Sequence, residues 1–281
     1  MTPAQLSHAV LRSVRGAVDS GELRAPVPER VVLRRPPRHV DEQLGRKSRK
    51  SRESREAREA PEPREPRDVW SCGIALRLAG PAGMPADEVA RMLSARLAEQ
   101  PGVAAVHITG GGFLTIALDA GAGAALLREI LAAPPAPSLP DDPALDAARW
   151  AAVAGGDPTG ALLTQREENP LFLVRYARAR CAGLERAAEA LGVVAEPGAA
   201  PCELPAERAL LAALGEGGRP VGRLTRVADG LLTVEGLRPT LPSGDEKPGV
   251  VHRARLALAL AAGTVLADGL HALGISAPHR L

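Results

Sequence analysis

The sequence contains very few aromatic residues. Phe, Trp and Tyr together make up 2% of its 281 residues, whereas 45% of the residues are hydrophobic. A core of this composition must be built mainly from Ala, Leu and Val, which favours leucine-bearing helices over ring-rich sheet sandwiches. The few rings are therefore scarce side chains whose positions carry information.

Cysteine pairs, long apolar runs and net charge are also scarce. Cys72, Cys181 and Cys202 are widely spaced and form no C-x-x-C motif, which predicts reduced thiols and excludes that type of zinc or redox site. No run of eighteen uncharged apolar residues occurs, and the N-terminus lacks a signal-peptide core, so we expect a cytoplasmic protein without a membrane partner. A formal charge of +2 gives no global attraction for nucleic acid, so RNA binding must rest on local residues.

The first part of the chain predicts a small α+β domain over residues 1–122, with a small antiparallel sheet and helices. Apolar residues recur at helical spacing over 4–19, and residues 28–35 alternate like a short strand. The stretch "VWSCGIALRLAG" is interpreted as a helix in which Ile74, Leu76 and Leu78 pack, and a second helix follows. Two alternating stretches then flank Gly110, Gly111 and Gly112, which predicts a strand, a glycine turn and a strand.

A charged insert over residues 36–68 interrupts this domain and is predicted to be disordered. It contains almost nothing apolar, so it cannot bury enough surface to offset its ordering entropy. Residues 34–68 carry twelve basic and eight acidic side chains, a balance of about +4. A solvated linker and a weak phosphate-binding arm are both consistent with this composition.

The second half of the chain predicts only helices. A Pro- and Ala-rich linker is assigned to 123–141, and an all-α bundle to 142–281. Its helices are predicted over 142–154, 170–192, 204–215, 220–232 and 249–273. In the second of these, the wheel places Arg175 and Arg186 away from the apolar stripe, with Tyr176 and Arg180 together on one flank and Arg178 on the other.

Three motifs resemble one known family. The helix "NPLFLVRYARAR" resembles N-P-x-Y-Y-V-Q-Y-A-H-A-R, which opens the DALR-type anticodon-binding bundle of arginyl-tRNA synthetases. The ending "VLADGLHALGISAPHRL" resembles the last helix and terminus of the same enzymes, and "PGVAAVHITGGGFLTIAL" resembles the hairpin of their N-terminal tRNA-recognition domain. The resemblance implies an anticodon-binding type of bundle in the second half.

The resemblance also implies a set of RNA contacts. Phe113 and Thr115 match hairpin positions that touch the outer corner of tRNA, and Tyr176 matches a tyrosine near the anticodon loop. Each ring also has an alternative explanation without RNA. Phe113 is then packed in the core or the turn, and Tyr176 is satisfied at the bundle surface among solvated arginines. The full predicted RNA-binding set is Trp70, Phe113, Thr115, Arg175, Tyr176, Arg178, Arg180, Pro278 and Leu281.

The family's catalytic machinery has no counterpart between the matched regions. Only the short joint separates them, and no histidine lies in a His-x-Gly-His context. The triple glycine lacks the lysine of a phosphate-binding loop and leads into a strand. We therefore expect no aminoacylation, no enzyme activity and no cofactor. The sequence predicts a stand-alone protein that binds tRNA or a tRNA-like RNA; the alternative is a protein-interaction module that docks on a synthetase or another partner.

Overall fold

The computed structural model describes residues 1–36, 69–119, 121–216 and 219–281. Its contacts divide the chain into two compact units, Met1–Ala122 and Gly123–Leu281. The predicted insert over 36–68 lies, apart from its first residue, outside the described residues. The two units are described separately below.

The first unit has a four-stranded antiparallel sheet with helices. The strands are β1 (Leu33–Arg34), β2 (Val69–Cys72), β3 (Val103–Thr109) and β4 (Phe113–Leu118), in the spatial order β1-β2-β4-β3. The helices are α1 (Pro3–Asp19), α2 (Ile74–Ala82) and α3 (Ala86–Ala98). A capping box between Thr2 and Gln5 starts α1, with Pro3 at its first position.

The core of the first unit lies between these helices and one face of the sheet. Leu6, Val10 and Val14 repeat at helical spacing on α1 and are buried. Alternate residues of β4, namely Leu114, Ile116 and Leu118, belong to the same cluster. The sheet and the helices therefore meet mainly through aliphatic side chains, as the composition predicts, with Trp70 of β2 as the one ring among the cluster's buried residues.

The predicted glycine turn is confirmed, whereas the stretch before α2 is corrected. Gly110, Gly111 and Gly112 have φ of 41°, 73° and 106°, a conformation that other residues rarely adopt, and they join β3 to β4. Residues 69–72 form β2, not a helix, because they pair with β4 along their whole length and Gly73 separates them from α2. Leu76, predicted to pack, is exposed. The predicted strand over 28–35 is limited to Leu33–Arg34.

The second unit is helical in all its described elements. They are α4 (Ala122–Ala132), α5 (Pro143–Ala154), a 3-10 turn (Ala161–Leu163), α6 (Pro170–Leu191), α7 (Pro205–Gly215), α8 (Pro220–Leu237) and α9 (Val250–Ala272). The prediction of a linker over 123–141 is wrong for its first part, because residues 123–132 lie in α4. Leu126 and Leu127 of α4 bury their side chains in the bundle core, which gives this helix its packing energy.

The last helix, α9, runs through the middle of the bundle core. Its buried residues lie on all sides, from His252 to Leu270, instead of along one stripe. Within the described parts of the chain, α9 is the one helix long and apolar enough to cross a membrane, and 61% of its most apolar window is buried. A helix at the centre of a folded core has the same composition, so this finding is weak support for a membrane span.

The side chain of Asn169 fixes the start of α6. Its Oδ1 accepts hydrogen bonds from the backbone N–H of Leu171 and Phe172, and its Nδ2 donates to the carbonyls of Leu162 and Thr164. Asn169 therefore satisfies free N–H groups of α6 and also ties the helix to the preceding turn.

Replacing Asn169 with alanine is expected to lower the free energy of unfolding by about 2 kcal/mol, the upper range for a lost helix cap, since two further hydrogen bonds disappear. Asn169→Asp keeps the acceptor and removes the two donors, so it should fall between alanine and the parent. Urea denaturation measures all three proteins. An alanine variant as stable as the parent would show that the start of α6 does not depend on this cap.

Candidate RNA interface

Phe113 is an exposed ring at the end of the β3–β4 hairpin. It is the first residue of β4, directly after the glycine turn, and 42% of its surface is accessible. Its ring lies against the backbone of Gly73: a Cβ built on that glycine would be 3.1 Å from Phe113 Cε1. The glycine thus lets the ring rest on the chain while its other side faces solvent, an arrangement suited to stacking on a base.

The structure corrects two other positions of the predicted RNA-binding set in this unit. Thr115 is buried in β4, and its Oγ1 lies 3.1 Å from the Oγ1 of Thr109. Trp70 is fully buried in β2, and the guanidinium carbon of Arg35 lies 4.2 Å from the centre of its ring. Both side chains therefore stabilise the sheet and are covered, which leaves Phe113 as the accessible member in this unit.

A pair of stacked rings lies on the exposed side of α6. Phe172 and Tyr176 are one helical turn apart, their ring centres are 5.8 Å apart, and their planes are inclined by 23°. Tyr176 is 38% exposed, and Phe172 is half-buried beside it. We call these two residues the aromatic pair. The mutual packing holds the tyrosine ring in place while leaving part of its surface accessible.

Arg175 is buried, which corrects its predicted place on the exposed side of α6. Only 9% of its surface is accessible. Its Nη2 pairs with the carboxylate of Asp141, lies 3.8 Å from Oδ2 of Asp146 and donates to Ser276 Oγ at 3.1 Å. A guanidinium surrounded in this way is neutralised inside the protein, so Arg175 is not a phosphate contact on this surface.

The same network fixes the chain terminus after α9. Asp146 accepts a hydrogen bond from the backbone N–H of Ser276 at 3.0 Å and another from Ser276 Oγ at 2.6 Å. Ile275 and Ser276 are buried, Pro278 is half-buried, and Leu281 is exposed. We call residues 275–281 the C-terminal hook. Its first two residues are held by buried contacts, while the predicted RNA contacts Pro278 and Leu281 keep accessible surface.

The other arginines of α6 differ in charge compensation. Arg180 is half-exposed and forms a bidentate ion pair with Glu235 of α8. The hydrogen bonds and the charge of Glu235 raise the pKa of this guanidinium. Arg178 is partly buried, and its Nε has no hydrogen-bond partner among the described residues. Arg186 is exposed, and two of its nitrogens lie 3.5 Å from the carbonyl oxygen of His279.

The buried thiols in both units behave as core side chains. Burial raises the pKa of Cys72 to about 11 and that of Cys181 to about 12. Both therefore remain protonated near neutral pH, which makes them poor nucleophiles and poor metal ligands. In the described ranges, no group of three or more His, Cys, Asp or Glu side chains is arranged to hold a metal ion.

The second unit also contains an open cleft of about 810 Å³ near the start of α6. Trp150 and Val221 contribute apolar walls, and Arg166 and Glu168 contribute charge. The Nε1 of Trp150 is buried without a hydrogen-bond partner in the described structure and is not accessible from the cleft.

Comparison with known proteins identifies the relationship of the chain. Residues 38–118 match the family described as arginyl tRNA synthetase N terminal domain, a range that includes β2, α2, α3 and the β3–β4 hairpin. The chain is related to the arginyl-tRNA synthetases. Phe113 and the glycine turn therefore lie within the range that matches this family. Arginine–tRNA ligases match about half of the chain.

Three relatives illustrate the extent of the similarity to arginyl-tRNA synthetases. The arginine–tRNA ligase of Kineococcus radiotolerans is 37% identical over 141 residues, which are 48% of this chain and 20% of the ligase. That of Renibacterium salmoninarum is 38% identical over 136 residues, 47% of this chain and 20% of the ligase. That of Frankia alni is 38% identical over 165 residues, 51% of this chain and 30% of the ligase. The matches thus span less than a third of each ligase. No solved structure matches the chain significantly.

The side chains that contact Arg175, Tyr176 and Arg180 of α6 were not identified from the sequence. The i, i+4 spacing of Phe172 and Tyr176, together with the aromatic position after N-P in the synthetase motif, was a signal for the aromatic pair. Glu235 and Asp146 had no such signal, because they reach α6 from other helices. Their distance in sequence from Arg180 and Arg175 hides the two ion pairs from any reading of α6 alone.

Proposed function

We propose that the chain is a non-catalytic, cytoplasmic protein that binds tRNA, such as an arginine tRNA, or a tRNA-like RNA. In this proposal the second unit is an anticodon-binding bundle of the DALR type. The Phe113 hairpin contacts the outer corner of the RNA. The aromatic pair and the C-terminal hook contact its anticodon loop. No cofactor takes part.

The placement of the scarce rings is the observation that carries this proposal. The chain has five aromatic residues, two Phe, two Trp and one Tyr. Both tryptophans are fully buried, whereas Phe113 and Tyr176 are exposed at the two positions where the resemblance places RNA contacts. An exposed ring gains no hydrophobic free energy from burial in the free protein. Stacking on an unpaired base covers the ring and provides part of that free energy.

A protein-interaction module is the second candidate function, and the charge of α6 favours it. Arg175 is compensated by Asp141 and Asp146, and Arg180 by Glu235. Four arginines in the sequence of α6 therefore present less positive charge than their number suggests. A partly apolar surface with compensated charge is also suited to docking on a synthetase or another protein.

The lack of catalysis is tested by arginine-dependent exchange between ATP and pyrophosphate. Purified protein should stay at background, because the sequence between the β3–β4 hairpin and the N-P motif of α6 contains no nucleotide-binding motif. A full-length arginine–tRNA ligase assayed in parallel shows that the reagents work. Exchange that follows the chain through purification, and that a ligase-free preparation retains, would refute a non-catalytic role.

The choice between RNA and protein is tested by capture of the tagged chain after crosslinking in cells. RNA sequencing of the captured material should give tRNA enriched over a parallel capture of the Phe113→Leu, Tyr176→Leu double variant. Enrichment of a synthetase with no tRNA above that control would support the protein-interaction module instead.

A further inference from the structure

We propose that Glu235 limits the attraction of the bundle for RNA phosphates by holding Arg180 in an internal ion pair. The inference rests on the proposed tRNA-binding function and names a residue that tunes it. RNA binding at α6 then depends more on stacking against Tyr176 and less on the attraction between arginine and phosphate.

The geometry of the pair supports this role. Arg180 Nε lies 3.3 Å from Glu235 Oε2, and Arg180 Nη2 lies 3.0 Å from Glu235 Oε1. The side chain of Arg180 is 47% exposed, whereas that of Glu235 is 12% exposed. The guanidinium is therefore open to solvent with the carboxylate largely covered beside it. A phosphate approaching Arg180 meets a cation whose charge is already compensated.

The position of the pair connects it to the proposed RNA contact. Arg180 follows Tyr176 by one helical turn on α6, so the two side chains are neighbours on the same side of the helix. A base stacked on the tyrosine brings its own phosphate close to this turn. Arg180 is thus placed to bind that phosphate, and Glu235 competes with the phosphate for the same guanidinium.

A purely structural ion pair is the alternative explanation. Glu235 and Arg180 join α8 to α6, but these helices already share a core through Val174, Ala177 and Leu231. Partly exposed ion pairs add little to stability, so the fold does not require this one. The two roles differ in one measurable respect: only a competitor for phosphate changes RNA affinity when its charge alone is removed.

The test compares Glu235→Gln with Glu189→Gln. Glutamine keeps an amide oxygen for Arg180 and removes the charge. Glu189 is an exposed residue on the same helix, away from Tyr176, so its replacement changes the net charge equally and serves as the matched control. Binding to a purified arginine tRNA is followed by fluorescence anisotropy at several salt concentrations.

The E235Q protein should gain one phosphate contact over the control. That gain corresponds to a salt slope steeper by about 0.7–0.9 and to roughly five- to eightfold tighter binding at about 0.1 M salt. Arg180→Gln should remove the gain in the E235Q background and have little effect in the parent. This second comparison separates a released arginine from a general charge effect.

Each outcome bears on one of the two proposals. If the parent binds tRNA and E235Q binds no tighter than E189Q, Glu235 is a structural residue and this inference is overturned while the proposed function stands. If neither the parent nor E235Q binds tRNA at low salt, the proposed function fails and the inference fails with it. Tighter binding by E235Q that survives Arg180→Gln would also overturn the inference.

Discussion

Replacing Asp146 with alanine should lower the free energy of unfolding of the second unit by about 3–5 kcal/mol, because it removes a partner of a buried charge. Asp146 is almost completely buried and accepts two hydrogen bonds from Ser276. Its loss leaves Asp141 as the one carboxylate paired with the Arg175 guanidinium, and the side chain of Asp141 is mostly exposed. This is the largest stability effect that we expect from a single polar substitution in this unit.

Urea denaturation followed by circular dichroism measures this loss. Asp245→Ala serves as the control, since Asp245 is exposed, and it should change stability by less than about 0.5 kcal/mol. The Asp146→Ala protein should also lose residues 275–281 to carboxypeptidase at low denaturant, because Asp146 anchors the C-terminal hook through Ser276. A loss below about 1 kcal/mol would mean that the buried network contributes no more than an ordinary hydrogen bond.

Replacing Tyr176 or Phe113 with leucine should weaken tRNA binding strongly. Stacking contributes about 1–3 kcal/mol per base, so each variant should lose roughly 5- to 150-fold in affinity. Leucine keeps a large apolar side chain and removes the ring, so packing against Phe172 or Gly73 is largely retained. Tyr176→Phe keeps the ring and should bind close to the parent, which separates stacking from hydroxyl contacts.

Val194→Ala is the control for loss of exposed apolar surface, because Val194 is accessible in the second unit. It should bind tRNA like the parent. Anisotropy titrations with one labelled tRNA compare all the variants under the same salt conditions. Leucine variants that bind as tightly as the parent would exclude both rings from the interface and would favour the protein-interaction module.

Local sequence signals were sufficient for the elements with clear ends. Asn169 and Pro170 mark the start of α6, and Gly192 follows its last residue in a left-handed conformation, so the sequence places both ends of this helix within one residue. The triple glycine likewise identifies the hairpin, because three consecutive positive φ values require residues without a Cβ. The antiparallel sheet and the helical second half follow from the same patterns.

Features that depend on distant residues could not be predicted in this way. Residues 69–72 form a strand because they pair with β4, which lies more than forty residues later in the chain. A stretch of four residues is too short to show the alternation that identifies a strand from sequence. Arg175 is buried because Asp141, Asp146 and Ser276 come together around it. A helical wheel of α6 contains none of these residues, so it places the arginine on the surface.

The proposed tRNA binding is tested most directly by titrating a labelled arginine tRNA with the purified protein at low and at higher salt. A full-length arginine–tRNA ligase and the same tRNA form the positive control. We predict saturable binding at about 50 mM salt that weakens markedly by about 200 mM, as expected when several phosphates are neutralised. If the ligase binds this tRNA and the chain shows no binding at about 50 mM salt, where phosphate contacts are strongest, the proposed tRNA-binding function is contradicted.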